Sequence, residues 1–223
     1  MIFQIPNVLT QDELAMIRSV LDAAEFVSGK QTAGGLAVQV KDNLQMDRDD
    51  PKTQEIMQTV LDALIRNQQF YMLAYPKRAF PPLISRYDVG MSYGSHVDNS
   101  VMHYKEPLRT DVSLTVFLNG PEEYEGGELV IEVPGGQQRI KLAAGSLVGY
   151  PSNSVHHVTP ISRGVRFAAI SWVQSMIRDP AKRSVLFDLN KTIQQLKNRL
   201  GEAPELNELV NCYHNLVRLW VEP

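Results

Sequence analysis

Two residues with the chemistry of metal ligands stand two positions apart in the tripeptide His96-Val97-Asp98. On an extended strand, residues i and i+2 project from the same face, so the imidazole of His96 and the carboxylate of Asp98 would converge on one point. Such a tripeptide is common by chance and more often marks a surface strand or a turn. It indicates a metal site only if a third ligand comes from elsewhere in the chain.

A second histidine segment, YPSNSVHHVTPISRGVR, occupies residues 150–166. One histidine from it would complete a set of two histidines and one carboxylate. That set leaves three coordination positions open and is typical of non-haem Fe(II) oxygenases. Because neighbouring residues on a strand face opposite sides, only one of His156 and His157 can point at the metal. The strand pattern leaves both histidines open as the third ligand.

Arg166 enters the apolar run VRFAAISWV, where a charge needs a partner. Its planar guanidinium matches the geometry of a carboxylate. Arg163 is the competing arginine, but it lies in the predicted turn. An arginine on the metal side of the strand favours a dicarboxylate co-substrate. A zinc hydrolase, or an oxygenase that does not use 2-oxoglutarate, would need no such anchor.

Short strands separated by glycine-rich turns would carry these residues. Val112, Leu114 and Val116 alternate with Ser113 and Thr115, which indicates a strand. Further strands are predicted over residues 83–87, 128–133, 138–142, 146–150, 155–159 and 165–173. Many short strands predict a sandwich or a barrel, and among these the jelly roll is the one that commonly encloses a metal.

Helices flank the predicted strands on both sides. The sequence TQDE at residues 10–13 fits a capping box and opens a helix over about 11–23. An Asp-Pro pair at 50–51 opens a second helix that ends near residue 67, and another at 179–180 opens a long helix that Gly201 stops. We expect three parts: an N-terminal helical and mixed segment over 1–80, a jelly-roll core over 81–177 and a C-terminal helical extension over 178–223.

The composition excludes several classes of partner. Lys and Arg number 22 against 25 Asp and Glu, and the net charge of -3 gives no electrostatic footprint for nucleic acid or an anionic membrane. No apolar run approaches the roughly 20 residues that span a bilayer. We therefore expect a cytoplasmic protein with no nucleic-acid or membrane partner. The single cysteine, Cys212, is expected to be a small buried side chain.

The longer segments RYDVGMSYGSHVDNS, DVSLTVFLN, GGEL, YPSNSVHHVTPISRGVR and SWVQSMIRD follow one another in this order. Together they resemble the prolyl 4-hydroxylase branch of the 2-oxoglutarate dioxygenases, and most closely the bacterial PKHD-type hydroxylases. The resemblance covers most of the chain. It implies a mainly β protein with a double-stranded β-helix core and flanking helices. It also implies Fe(II) as the metal cofactor, 2-oxoglutarate and O2 as co-substrates, and ascorbate as a possible reductant.

The same resemblance implies roles for particular residues. His96 and Asp98 would be the first two iron ligands, and His156 the third, because VTP follows it in the register of the family. Arg166 would pair with the far carboxylate of 2-oxoglutarate. Tyr87 matches a tyrosine that hydrogen-bonds the co-substrate in related prolyl hydroxylases.

One position departs from the family pattern. Where some relatives have a tyrosine, this chain has Phe117, which cannot donate a hydrogen bond. Anchoring of the far carboxylate would then depend on Arg166, with Ser113 or Thr115 from the polar face of the same strand as additional donors.

The implied reaction is hydroxylation of an unactivated C–H bond with release of succinate and CO2. The resemblance does not choose between a peptidyl residue and a small molecule as substrate. It leaves two alternatives open: a non-catalytic metal-binding or sensing jelly roll, and a metalloenzyme that does not use 2-oxoglutarate. The apolar faces of the two C-terminal helices are expected to be packing surfaces, one of which could form a homodimer.

Overall fold

The structure is a computed structural model that describes residues 1–32, 34, 37–201 and 203–222. Its strands are β1 (Phe3–Ile5), β2 (Phe26–Ser28), β3 (Lys41–Asp42), β4 (Leu44–Met46), β5 (Pro76–Ala79), β6 (Leu83–Tyr87), β7 (Ser92–His96), β8 (Val101–Tyr104), β9 (Glu106–Arg109), β10 (Val112–Phe117), β11 (Tyr124–Gly126), β12 (Leu129–Val133), β13 (Gly136–Ile140), β14 (Leu147–Pro151), β15 (His156–Val158), β16 (Ile161–Gly164) and β17 (Arg166–Ser175). Its helices are α1 (Gln11–Leu21), α2 (Ala37–Val40), α3 (Pro51–Arg66), α4 (Gln68–Ala74), α5 (Pro180–Leu200) and α6 (Pro204–Trp220).

Two antiparallel sheets form the centre of the molecule. The larger sheet has the order β1-β14-β10-β17-β6-β4-β2, with β5 also paired to β17, and the smaller has the order β13-β12-β15-β7-β3. Side chains from both sheets meet in one apolar cluster, in which Phe117 and Val148 of the larger sheet accompany Leu129, Ile131 and Val158. The two sheets therefore face each other, and the predicted mainly β jelly-roll core with flanking helices is confirmed.

The alternation along β10 assigns each side chain to one face of the larger sheet. Val112, Leu114 and Val116 belong to the apolar cluster that also contains the buried residues of α1, α3 and α4. Burial of this kind of surface stabilises a fold by about 25 cal/mol per Å² of apolar area. The helices thus cover the outer face of the sheet, and Ser113, Thr115 and Phe117 are directed between the sheets.

The helices α1 and α3 begin where the sequence predicts, and a further short helix follows α3. Thr10 caps α1, and the reciprocal bond with Glu13 of a capping box is present. A short helix, α4, was not predicted. Asn67 separates it from α3 because it leaves the helical conformation, with φ of -86° and ψ of 106°, and its side chain then accepts a hydrogen bond from the Phe70 amide at 2.8 Å.

The C-terminal helices α5 and α6 pack on each other, and the predicted stop at Gly201 is confirmed by its positive φ of 67°. The apolar spacing of α5 predicts one packing face with the members Val185, Leu189, Ile193, Leu196 and Leu200. Only Ile193 of these is buried, whereas Val185 is 50% exposed and Leu200 59% exposed. The prediction that Cys212 is buried was wrong, since this cysteine is exposed. It lies beside, and not on, the face of α6 that packs against the core.

No helix within the described residues is long and apolar enough to cross a membrane.

Candidate metal centre

Three predicted ligands meet between the two sheets. The donor atoms of His96, Asp98 and His156 all lie within 4.8 Å of one another. Each histidine places its Nε2 atom 3.9 Å from a different oxygen of the Asp98 carboxylate. Two imidazoles and one carboxylate are the donor set of a facial triad, which suits Fe(II) and leaves positions free for other ligands.

Adjacent strands of the smaller sheet bring the two histidines together. β15 pairs with β7 so that His156 lies directly opposite His96, and the two rings are 4.2 Å apart. Asp98 was expected on the same strand as His96, but β7 ends at His96 and Asp98 follows in the loop. The loop still directs the carboxylate back to the two imidazoles, since its side chain is 10% exposed and faces both Nε2 atoms.

Hydrogen bonds to the backbone orient both rings. His96 Nδ1 lies 2.8 Å from the carbonyl oxygen of Gly94, and His156 Nδ1 lies 3.0 Å from that of Ser154. When each Nδ1–H donates to its carbonyl, the Nε2 lone pair of a neutral imidazole is left to face the centre. The rings are thus held in the tautomer that binds a metal.

The Asp98 carboxylate is held by a hydroxyl. Ser113 Oγ donates to Asp98 Oδ2 and lies 2.8 Å from Ser152 Oγ, whose hydroxyl donates in turn. Ser113 was predicted as a donor to the co-substrate. In the structure it contacts the candidate metal ligand Asp98 instead. The alternation along β10 shows only that Ser113 faces inward and does not tell a contact with the co-substrate from one with a metal ligand.

Tyr93, which the sequence offered as a possible substrate contact, makes a contact with His96 that the sequence did not predict. Its ring stacks on the His96 ring, with centroids 3.7 Å apart and an angle of 18° between the planes. A register shift in the β7–β15 pairing brings these residues together although they are three positions apart.

Burial, reinforced by the nearby His156, lowers the pKa of His96 to about 4, so the ring is neutral at neutral pH. Neutral imidazole is the form that binds metals.

His157 points away from this cluster. In the β12–β15 pairing it lies opposite Val130, whereas His156 lies opposite Ile131, which belongs to the cluster between the sheets. Directly paired residues of antiparallel strands share a face. The structure therefore brings His156, and not His157, to His96 and Asp98.

Arg166 is fully buried at the start of β17, between β6 and β10. None of its three guanidinium nitrogens has a hydrogen-bond partner within the described residues. Its Cζ atom lies 5.2 Å from the ring centre of Tyr87 and 5.5 Å from that of Phe117. Removing a charge from water without a partner costs several kcal/mol, so an anion bound here would offset that cost. The planar guanidinium matches the geometry of a carboxylate such as those of 2-oxoglutarate.

The loop after β11 closes over Arg166 and requires glycine at one position. Gly127 has a φ of 64°, and a Cβ atom there would lie 2.9 Å from the Tyr124 ring and 3.0 Å from Arg166 Cδ. The GGEL motif of the sequence thus has a physical role, which is to let the backbone pass close to the buried guanidinium.

One cavity joins the three candidate ligands to Arg166, and Tyr87, Thr115 and Tyr150 also line it. Tyr87 is 3% exposed, and burial raises the pKa of its phenol, against which the Arg166 charge acts in the opposite direction. Arg163, the competing arginine, lies outside this cavity and pairs with Glu125 at 2.9 Å on the surface.

Sequence comparison agrees with this geometry. A profile described as "2OG-Fe(II) oxygenase superfamily" matches residues 82–174, and one described as "PKHD-type hydroxylase C-terminal domain" matches residues 180–222. The chain is 47% identical over 226 residues to a PKHD-type hydroxylase of Acinetobacter baylyi, and 46% identical over 227 residues to one of Xanthomonas campestris, with 100% of each chain covered. The chain belongs to the PKHD-type hydroxylase family. Membership confirms the predicted enzyme class, a dioxygenase that uses Fe(II), 2-oxoglutarate and O2.

Solved structures resemble this PKHD-type hydroxylase in fold. A Pseudomonas putida prolyl-4-hydroxylase superposes with a TM-score of 0.53 at 20% identity, covering 78% of this chain and 92% of its own. A Trichoplax adhaerens prolyl hydroxylase in complex with a peptide fragment of hypoxia inducible factor superposes with a TM-score of 0.56 at 16% identity, covering 82% of this chain and 86% of its own. At these identities the likeness shows the fold.

Proposed function

We propose that this PKHD-type hydroxylase holds its Fe(II) through His96, Asp98 and His156 and its 2-oxoglutarate through Arg166. The observation that supports both assignments is a single cavity with three metal donors at one position and a buried, unpartnered guanidinium at another. A zinc hydrolase or a simple metal-binding module has no use for that guanidinium.

The bound iron, with 2-oxoglutarate and O2, supplies the oxidation of an unactivated C–H bond, with release of succinate and CO2. The side chains supply orientation. His96, Asp98 and His156 would hold the metal, Ser113 orients the Asp98 carboxylate through a hydrogen bond, and Tyr93 orients the His96 ring by stacking on it. No side chain needs to act as a general base, so we assign none.

Tyr87 is proposed to donate its hydroxyl to 2-oxoglutarate beside Arg166. It is buried in the same cavity, and its ring already packs under the guanidinium. Thr115, also on the cavity wall, is proposed as a second donor in place of the tyrosine that Phe117 replaces. Its position on the inner face of β10 supports this role.

The substrate is proposed to be a peptidyl residue or a small molecule. We further propose a division into residues 1–80, 81–177 and 178–223, which the matched ranges 82–174 and 180–222 support. A homodimer through a C-terminal helix, a cytoplasmic location and the use of ascorbate stay predictions.

Paired histidine substitutions test the proposed function. With Fe(II), 2-oxoglutarate and O2, the wild-type protein is expected to form succinate even without a substrate, at the slow rate of uncoupled turnover. His156→Ala should lower this rate about 100-fold or more, because loss of a ligand costs more than the 10- to 100-fold typical of outer contacts. Succinate is measured by chromatography.

His157→Ala is the matched control and should keep at least about half of the wild-type rate, since its ring faces away from the cluster. Loss of turnover in His157→Ala with retention in His156→Ala would contradict the assignment. Absence of succinate in the wild-type protein would contradict the function itself.

A further inference from the structure

The cavity extends beyond the candidate metal and co-substrate positions. Along β17, Arg166, Ile170 and Trp172 all line it. At about 3.3 Å per residue, Ile170 and Trp172 lie roughly 13 and 20 Å along the strand from Arg166. We call the part of the cavity lined by Lys41, Leu83, Ile170 and Trp172 the outer cavity. Its Ile170–Trp172 end is distant from Arg166, whereas Lys41 lies on the side of the candidate metal centre, opposite Tyr93 of β7.

Lys41 places a buried amine in the wall of the outer cavity. The residue is 5% exposed, and its Nζ donates to Thr32 Oγ1 at 2.8 Å. An ammonium carries three N–H donors, so two are left by this bond. Within the described residues, Lys41 has no ion pair at 4.0 Å or less; the Asp98 carboxylate acts on its charge from farther away, and the centre of the Tyr93 ring lies 5.4 Å from Nζ.

A chain of hydrogen bonds holds the amine in position. Thr32 Oγ1 accepts from Lys41 and lies 2.8 Å from Gln45 Oε1, and Gln45 Nε2 donates to Ser85 Oγ at 3.3 Å. All four side chains line the cavity. Because the chain links β3 of the smaller sheet to β6 of the larger one, the amine is fixed before any ligand arrives, which reduces the ordering cost of binding.

Another part of the cavity wall, formed by Leu83 and Trp172, is apolar apart from one donor. Leu83 and Trp172 are each 7% exposed and pack with Phe80, whose ring meets the Trp172 ring edge-on at 5.6 Å. The indole Nε1 is buried and has no hydrogen-bond partner within the described residues. A buried donor of this kind usually finds an acceptor, so a ligand that fills the outer cavity would supply it.

We propose that the outer cavity is the substrate subsite and that it binds an amphipathic carboxylate, with the carboxylate on Lys41 Nζ and the apolar body against Trp172. The inference rests on the proposed function, because it places the oxidised carbon of the substrate beside His96, Asp98 and His156. A carboxylate would pair with the buried amine, which lines the cavity and has no ion pair at 4.0 Å or less within the described residues. The apolar part of the wall would contact the apolar body of the substrate.

A matched series of acids and amides tests the proposal. The full-length protein is loaded anaerobically with Mn(II) and saturating 2-oxoglutarate. Phenylacetate to 5-phenylpentanoate, and the primary amide of each, are then titrated by calorimetry. At least one acid is expected to bind about tenfold more tightly than its amide, the size of effect expected for one charge-assisted hydrogen bond. Lys41→Met should reduce this preference to less than about twofold.

Three further variants control the experiment. Lys41→Arg keeps the cation and should retain part of the preference, whereas Trp172→Phe should weaken acid and amide together. Lys77→Met removes an exposed lysine and should change neither. Thermal unfolding of each variant confirms that it is folded.

The outcomes separate the two claims. Acids that bind no better than their amides to the wild-type protein, or a preference that persists in Lys41→Met, would overturn the subsite. So would a loss of 2-oxoglutarate affinity in Lys41→Met equal to that in Arg166→Met, because Lys41 would then belong to the co-substrate anchor. Failure of the wild-type protein to bind 2-oxoglutarate would refute the proposed function as well.

Discussion

Asp98→Ala is expected to abolish detectable Fe(II) binding at micromolar concentrations and to remove succinate formation. Asp98 supplies the anionic donor of the cluster, and both Nε2 atoms face its carboxylate at 3.9 Å. Loss of affinity should exceed the roughly 100-fold that removal of an outer contact can cost. Anaerobic calorimetry with Fe(II) measures the affinity, and His96→Ala should behave in the same way.

Asp42→Ala is the matched control for this prediction. Asp42 is exposed on β3, close in sequence to the cavity-lining Lys41 but outside the set of donors. Its removal should leave the Fe(II) affinity unchanged. Wild-type Fe(II) affinity in Asp98→Ala would show that the cluster is not the metal site.

Arg166→Met is expected to raise the KM for 2-oxoglutarate about 100-fold, because breaking a buried charge pair costs about 2–5 kcal/mol. Fe(II) affinity should change little, since Arg166 is not among the metal donors. Steady-state succinate formation against 2-oxoglutarate concentration measures the effect. The matched control is Arg163→Met, which removes an exposed arginine paired with Glu125 and should leave the KM unchanged.

Arg166→Met is also expected to affect the thermal stability of the protein without 2-oxoglutarate, and this effect is not a loss. In the absence of 2-oxoglutarate, the guanidinium of Arg166 is buried without a partner. Replacing it with an apolar side chain of similar length should keep or raise the melting temperature, since an uncompensated buried charge is removed. Saturating 2-oxoglutarate should then stabilise the wild-type protein but not Arg166→Met. Destabilisation of the free variant, together with an unchanged KM, would contradict the assigned role.

The candidate ligands could be predicted from the sequence because their residue types, their order along the chain and the family resemblance pointed to one set. The structure brings His96, Asp98 and His156 together, although Asp98 lies in the loop after β7 and not on the strand that the spacing of the HVD tripeptide indicated. The strand pattern could not choose between His156 and His157, because adjacent residues on a strand differ only in the face to which they point. The resemblance pointed to His156, and the pairing of β15 with β12 places it inside.

Contacts that depend on long-range pairing could not be predicted. Tyr93 reaches His96 only because the β7–β15 register shifts, and no local pattern records the register of two distant strands. Lys41 has the sequence context of a surface lysine. It is 5% exposed because β3 pairs with β7 at the edge of the smaller sheet.

Surface positions of the C-terminal helices were also misjudged. Apolar spacing along α5 and α6 predicted packing stripes, yet Val185 and Cys212 are exposed. Helical periodicity tells which residues share a face. The direction of that face is set by the neighbouring helix and the core. Of the buried residues of α5, only Ile193 lies on the predicted stripe, whereas Arg183 and Leu186 lie beside it.

A crystal structure of the protein prepared anaerobically with Fe(II) and 2-oxoglutarate would show both proposed binding positions at once. We expect iron bonded to Nε2 of His96, Nε2 of His156 and one carboxylate oxygen of Asp98, with the far carboxylate of 2-oxoglutarate on the guanidinium of Arg166. Iron bonded to His157, or a co-substrate whose far carboxylate lies away from Arg166, would contradict this assignment.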